Sequence, residues 1–525
     1  SGGFRWSVAG LRVSASNLDR PAAIAVLAWT VVAACAGTRF ARWRPSVVVA
    51  IVGCVLALFS WRHAAPYATG ADMFGYVSQA DDWRNGQLTH AIAPATASFP
   101  PNAYVPLGYV WQYPPPKAVA LYPPGLPLHM AVASLLGRWA IYLVAPVAAL
   151  LAVWGTYRLG ALSHSPWIGA GAATLLAFSP QLLAQSVLPM GDTLATAYWT
   201  WACVWAIDRR PVGQALAGAL AGLAIVVRPN LAPLLAPVLL CSAANGGVRG
   251  AIVAGLAATP LVGWLGWHNS VLYGGALATG YGPARDLFGW AYGWDNVRRY
   301  GTWLFQTMSP WPLVGLLASL VGVAKRPSMT VASLWLVVAT TVLLYVWYVP
   351  WPNWTFSRFL LPAFPAVFVL ALAGVQGLRP RSSVPVVFAV AFGVAWQMHF
   401  VQNSDVRRFR VAMSRFADLG AHLRAQPAPG VVVTRVHSGS LQHYAGAVTV
   451  RWDQLSVDEL RQGLAEEIAA GRTPLLVDDS DDRDEFEARF GPLSCWAETQ
   501  TPVFAVSKHA ETRLLTARAG CTTAN

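Results

Sequence analysis

Apolar runs close to the length of a membrane-spanning helix recur along most of this chain, at roughly 22–38, 46–62, 138–158, 167–185, 190–207, 213–227, 229–243, 251–268, 310–324, 329–349, 358–377 and 384–400. No water-soluble core holds so many such runs, so they predict an all-α polytopic membrane protein of about 11–13 transmembrane helices. Runs of about 15 residues, such as 213–227, are short for a crossing and read as tilted partners of one broken unit. The charges agree with this reading. Only 12% of residues are charged, against about 25% in a soluble globular protein. Residues 1–400 carry 23 Lys and Arg and 8 Asp with no Glu, whereas 401–525 carry 14 Lys and Arg and 16 Asp and Glu. Lipid is the implied solvent of the first part and water that of the second.

Sidedness follows from the short basic loops. Arg39, Arg42 and Arg44 mark one loop, followed on the same side by Arg158, by Arg209 and Arg210, by Arg249, by Lys325 and Arg326, and by Arg379 and Arg381. If each run crosses once, the positive-inside rule makes that side the cytoplasm. The 63–137 segment, the 269–309 loop and the 401–525 tail then lie outside. Arg5, Arg12 and Arg20 in the 1–21 stub run against this assignment, and the first residues do not read as a cleavable signal peptide. The net charge of +13 therefore reflects membrane loops, and no nucleic-acid-binding motif accompanies it.

The first outer loop, 63–137, is rich in Pro, Gly and aromatic residues, as in "FPPNAYVPLGYVWQYPPPKAVALYPPGLPL", and predicts interfacial helices and turns anchored by Trp and Tyr. The 22–400 part is expected to form the membrane domain. The tail alternates "GVVVTRV", "AVTVRW" and "TPLLVDD" with amphipathic stretches at 456–470 and 481–490, which predicts a small α/β domain over 401–525. Its "VDDSDDRDEFE" run reads as a solvated, helix-starting acidic face. Cys35, Cys54, Cys203 and Cys241 fall in apolar runs, whereas Cys495 and Cys521 could pair if the tail is extracytoplasmic.

Carboxylates are rare enough before residue 400 to be informative. Asp19 belongs to the stub, and Asp208 pairs or caps beside Arg209 and Arg210. Asp72, Asp81, Asp82, Asp192, Asp286 and Asp295 all fall on the outer side. Asp192 sits at the mouth of an apolar run, where it serves either as a helix N-cap or as a functional group entering the bundle. In "DMFGYVSQADD", Asp72 and Tyr76 are four apart and share a helical face, while Asp81 and Asp82 point elsewhere and read as solvated. Outer-side cations run against the general bias, and those beside the carboxylates suit an anionic ligand carried in the membrane, such as a lipid phosphate. Among these cations Arg358 begins one apolar run, Arg228 interrupts another, and Lys117, Arg298 and Arg299 lie in the outer loops. There is no HExxH, CxxC or Walker loop, so no metal ligands are assigned.

In order, Asp72-x-x-x-Tyr76 followed by "SQADDWRNGQL", then "YPPGLPLHMA", Asp192, "GLAIVVRPN" and "RFLLPAFP" resemble the GT-C superfamily of integral-membrane glycosyltransferases. The likeness covers most of 45–400 and is closest to the bacterial branch of protein O-mannosyltransferases and lipid A aminoarabinose transferases. The tail is similar to domains appended in other bacterial members. The resemblance implies a multi-pass protein of the bacterial inner (plasma) membrane that moves a sugar from a polyprenyl-phosphate carrier to a glycan, lipid or protein acceptor on the outer face, with inversion. It implies Asp72 as catalytic base and Asp192 as second acidic residue, with Tyr76, Arg358, Arg228, Lys117, Arg298 and Arg299 as substrate- or phosphate-binding candidates. Two departures stand out: Met73 follows Asp72 where relatives carry a second acid, and Tyr122 occupies a position where they often carry Lys. A divalent cation is left open as cofactor. Two other functions remain: a flippase or transporter of a polyprenyl-linked glycan, which would favour repeated halves, and a glycan ligase or polymerase using the outer-loop arginines.

Overall fold

The computed structural model describes residues 44–92, 98–112, 117–325, 327–425, 430–493, 496–498, 504–507 and 510–518, with the backbone of an antiparallel pair formed by β1 (Arg5–Val8) and β2 (Leu11–Ser14). The expected run at 22–38, together with Cys35, Cys495 and Cys521, lies outside the described residues. Every other expected run carries a helix.

The membrane part is built from α1 (Pro45–His63), α4 (Val144–Ser163), the bent pair α5 (Pro166–Phe178) and α6 (Pro180–Ser186), α7 (Asp192–Ala206), α8 (Pro211–Val227), α9 (Leu235–Tyr273), α11 (Trp311–Lys325), α12 (Met329–Val346), α13 (Phe364–Leu378) and α14 (Val384–Asn403). Among the described residues, six helical stretches are long and apolar enough to cross a membrane, or eight if each of two bent pairs counts as one. Proline starts many of these helices at a position where its missing N–H costs nothing, as in α1, α5, α6 and α8.

The stretch called α9 is two limbs rather than one continuous helix. Gly247 takes φ 67° and breaks the helix, a conformation that a side chain disfavours. Before the break, Asn230 bonds Tyr345 and Asn245 bonds Thr330, so this limb runs antiparallel to α12. Beyond it, Ala254 meets Gly218 and Leu261 meets Gly222, so the second limb runs parallel to α8. The two runs expected at 229–243 and 251–268 are therefore separate limbs joined by a tight turn that carries Arg249.

Between α1 and α4, the 63–137 loop forms α2 (Asp72–Arg84), a hairpin of β3 (Tyr109–Gln112) and β4 (Lys117–Ala120), and α3 (Gly125–Ala133). The short helices match the expectation and the hairpin adds to it. Amphipathic α10 (Gly293–Met308) meets α11 at a bend of about 104°.

The tail is the predicted α/β unit. It comprises α15 (Phe409–Arg424), β5 (Val432–Val433), α16 (Ser438–Ala445), β6 (Thr449–Val450), α17 (Val457–Ala469), β7 (Leu475–Asp479), α18 (Arg483–Phe490), β8 (Trp496–Glu498), β9 (Phe504–Ser507) and β10 (Ala510–Ala517). The strand order is β6-β5-β7-β10-β8 with β9 also on β10; β5 is parallel to β6 and β7, and β10 is antiparallel to its partners. Leu419, Leu423 and Leu441 cover one sheet face. On the other, Leu460, Leu464 and Phe486 are joined by Phe99 and Tyr104 of the first loop. The tail core is thus completed by residues from the segment expected to belong to the membrane domain.

The acidic run at 477–487 divides: Asp481, Asp484, Glu485 and Glu487 are exposed where α18 starts, as its reading as a solvated face expects, whereas Asp478, Asp479 and Asp482 are buried, which corrects that reading for these three. Asp479 receives His437, Thr512 and Arg415, and Asp478 pairs with Arg483 at 2.6 Å. Burial disfavours the Asp479 charge, but the hydrogen bond and charge of His437, with Arg415 behind them, hold its carboxyl well below the usual range.

Candidate active site

Four helix ends converge on one side of the membrane part. Asp72 is the first residue of α2 and Asp192 the first of α7. Arg228 follows the last residue of α8, and Arg358 lies in the 3-10 segment Trp354–Ala363 that leads into α13. Asp72, Asp192 and Arg228 suit their helix ends, because acids are favoured at N-termini and a cation at a C-terminus, whereas Arg358 precedes an N-terminus and depends on its ion pairs. Neither acid uses its side chain as a cap. The cap readings therefore give way to ion pairing.

Arg228 binds Asp192 at 2.6 Å, and Arg358 binds Asp72 at 2.8 Å while its Nε lies 3.9 Å from the other oxygen of Asp192. The side chains of Arg228 and Arg358 are each 13% exposed and Asp192 is 1% exposed, whereas Asp72 is open at 37%. Phe359 lies under both guanidinium groups, 5.3 Å from Arg228 and 5.4 Å from Arg358, and Phe356 lies 5.0 Å from Arg358. Such cation–π contacts hold the arginines without consuming their hydrogen bonds. Asp192 Oδ2, Arg228 Nε and Arg358 Nε are buried without a hydrogen-bond partner in the protein.

Aromatic residues wall the open side. Tyr76 packs on Tyr122 at 4.8 Å, and Tyr122 on Tyr281 at 6.0 Å. The Tyr122 phenol lies within hydrogen-bonding reach of Asp72, and its ring rests on Gly75, where any Cβ would collide with it. Burial, then the charge of Asp72, pushes the Tyr122 phenol well up. Burial also raises that of Tyr76, partly offset by Arg228. Both phenols stay protonated and can donate. Tyr345 closes the cluster from α12, accepting from Asn230 at 2.9 Å and from Arg228 at 3.5 Å.

Of the sequence-predicted site residues, Asp72, Asp192, Arg358, Arg228 and Tyr76 meet here. Lys117 does not. Its neighbour Ala118 pairs with His90, which binds Asp82 at the far end of α2, ten positions from Asp72 and so about 15 Å along the helix. Arg298 and Arg299 are also outside the cluster: α10 turns Asn296 and Tyr300 inward, leaves Arg298 exposed, and lets Arg299 donate to the Trp351 carbonyl at 2.7 Å. Asp81 and Asp82 are not solvated but paired, with Arg138 at 2.7 Å and with His90 at 3.0 Å. Asp208 pairs with Arg210 as expected.

Sequence reasoning missed Asn230, Tyr345 and Phe359, and noted Tyr122 only as a departure from Lys. Asn230 stands two residues after Arg228 in "RPN", the one local signal available. A divalent cation meets a donor set already neutralised by two guanidinium groups. Among the described residues, no three His, Cys, Asp or Glu side chains gather to hold a metal ion.

Residues 122–263, which contain Tyr122, Asp192 and Arg228, match the family model for dolichyl-phosphate-mannose-protein mannosyltransferases. No curated protein matches the chain in sequence. Among solved structures, ArnT from Cupriavidus metallidurans bound to undecaprenyl phosphate superposes with a TM-score of 0.56 at 13% identity, covering 91% of this chain and 99% of that one. The chain has the GT-C fold of integral-membrane glycosyltransferases. The archaeal oligosaccharyltransferase AglB from Archaeoglobus fulgidus, in complex with an inhibitory peptide and a dolichol-phosphate, shares this GT-C fold with a TM-score of 0.53 at 13% identity, over 88% of this chain and 73% of that one. Within the GT-C fold of this chain, the Asp72–Arg358–Asp192–Arg228 cluster sits where the first loop meets the helix mouths.

Proposed function

We propose that the protein is a glycosyltransferase that moves a sugar from a polyprenyl-phosphate carrier to a hydroxyl of a cell-envelope glycan, lipid or protein, with Asp72 as general base. The observation that carries this reading is the pairing of an open carboxylate with a guanidinium that is anchored from behind by a buried second acid. The acceptor oxygen attacks C1 of the donor sugar opposite the phosphate, the C1–O bond to phosphate breaks, and the acceptor proton passes to Asp72. Attack from that face inverts the anomeric centre. The departing phosphate needs its charge neutralised rather than a proton, which Arg358 and Arg228 can supply. Asp192 holds both arginines in place. A positioned base of this kind contributes about 10² to 10⁴ in rate.

The site side is extracytoplasmic in this reading, in the bacterial inner (plasma) membrane. Arg158, Arg209, Arg210, Arg249, Lys325, Arg379 and Arg381 all lie toward the opposite ends of the helices. The test offers the purified protein a panel of polyprenyl-phosphate sugars with cell-envelope acceptors and measures the polyprenyl phosphate set free. At least one donor is expected to release it in an acceptor-dependent way. Release that does not depend on Arg358, or transport of an intact lipid-linked glycan without release, would count against the proposal.

A further inference from the structure

Resting on that reading, we infer that Arg358 latches the general base: Asp72 and the carrier phosphate compete for the same guanidinium, so the donor must bind before Asp72 can take a proton. Arg358 cannot yield easily. Phe356 and Phe359 pack against its plane, Asp192 stands behind its Nε, and little of it is exposed. Asp72 is the movable member, because it is the most exposed of the four charged groups and its remaining contact is the Tyr122 phenol. A carboxylate oxygen that accepts a charge-assisted hydrogen bond has that lone pair committed to the guanidinium. The donor phosphodiester, with the same single negative charge and two non-bridging oxygens, takes the place of the carboxylate on the guanidinium. The freed Asp72 then faces the acceptor.

The same exchange works in reverse after transfer. Asp72 leaves the chemical step carrying the acceptor proton and, being neutral, no longer competes for Arg358. Loss of that proton to water restores the carboxylate, which retakes the guanidinium and helps expel the polyprenyl phosphate product. The latch thus orders the cycle as donor first, acceptor second, and couples base regeneration to product release.

Affinity for undecaprenyl phosphate in detergent micelles tests this without any transfer. Asp72→Asn is expected to bind the lipid more tightly than the wild type by about tenfold, the worth of one charge-assisted hydrogen bond. Arg358→Gln binds more weakly, and Asp72→Asn made in the Arg358→Gln background gives no further gain. An equal gain in both backgrounds would mean a diffuse charge effect and overturn the latch, as would no gain at all. If Arg358→Gln does not fold, wild-type protein serves: labelling of Asp72 by a water-soluble carbodiimide, read by mass spectrometry, should rise when undecaprenyl phosphate is added. Unchanged or reduced labelling overturns the inference. The two readings fail separately, because the base assignment fails on transfer by Asp72→Asn and the latch fails on its lipid affinity.

Discussion

Asp72 and Arg358, 286 positions apart in the chain, are joined by a 2.8 Å ion pair in which the arginine is enclosed and the aspartate is open. The asymmetry separates their roles. The enclosed partner is fixed for binding and the open one can reach a substrate.

Asp192 and Arg228 form the buried part of the cluster, and removing Arg228 leaves the buried Asp192 with only the longer 3.9 Å contact to Arg358. Arg228→Ala is expected to destabilise the protein by about 3–5 kcal/mol. The double change Asp192→Leu with Arg228→Met, which replaces the pair by apolar groups, should cost less than either single change. Thermal unfolding of the detergent-purified variants decides this, and additive losses in the double variant would contradict it.

The Tyr122 phenol lies beside Asp72, and its ring rests on Gly75. Tyr122→Phe should keep the fold and slow transfer by about tenfold or more, the loss of one hydrogen bond to a charged group. Gly75→Ala drives the ring off its seat and should lower transfer at least as far without removing any polar atom. Equal rates for both variants and wild type would remove Tyr122 from the site.

The tail packs against α2 and the segments on either side of it. Tyr444 accepts from the Ala68 amide at 2.8 Å, Ser438 accepts from the Leu107 amide at 2.9 Å, and Gly439 lies against Phe74 so closely that a Cβ would collide with it. Tyr444→Phe leaves a buried amide unpaired, a cost of about 1–3 kcal/mol. Gly439→Val should separate the surfaces further. Both variants are expected to transfer more slowly and to expose α2 to limited proteolysis, although neither residue belongs to the site. Unaltered cleavage and rate would make the tail a passenger.

Asp482 in the tail gives a pH dependence of known sign. Burial, then the charge of Asp479, pushes its carboxyl up to about 7. Between the ordinary carboxylate range near pH 4 and pH 7 the folded state holds a proton that the unfolded state has lost, so stability falls as pH rises through that window and is level above it. Asp482→Asn, which can still accept from the Val436 amide, should flatten the profile and stabilise the tail at pH 8 by at most about 4 kcal/mol. The check is the unfolding midpoint from pH 4 to 8, and parallel profiles for variant and wild type would contradict the assignment.

What was legible beforehand depended on whether the signal was local. The crossings could be read because lipid demands long apolar runs, and Asp72, Asp192, Arg228 and Arg358 could be grouped because charges at helix mouths are costly and share one side. Lys117 misled because a cation near the right motif says nothing of the hairpin that carries it to the far end of α2. Arg298 and Arg299 misled for a related reason: the face of α10 that turns inward is set by its packing on α12. The burial of Asp479 was invisible because its partners, Arg415, His437 and Thr512, lie up to 64 positions away. Phe99 and Tyr104 gave no sign that they complete a core formed more than 300 residues later.

The most direct measurement compares polyprenyl phosphate released by wild-type protein and by Asp72→Asn, at saturating polyprenyl-phosphate sugar and with acceptor present. The account predicts that the variant folds, binds the carrier and releases at least about 100-fold less than wild type. Release by Asp72→Asn at the wild-type rate would contradict it.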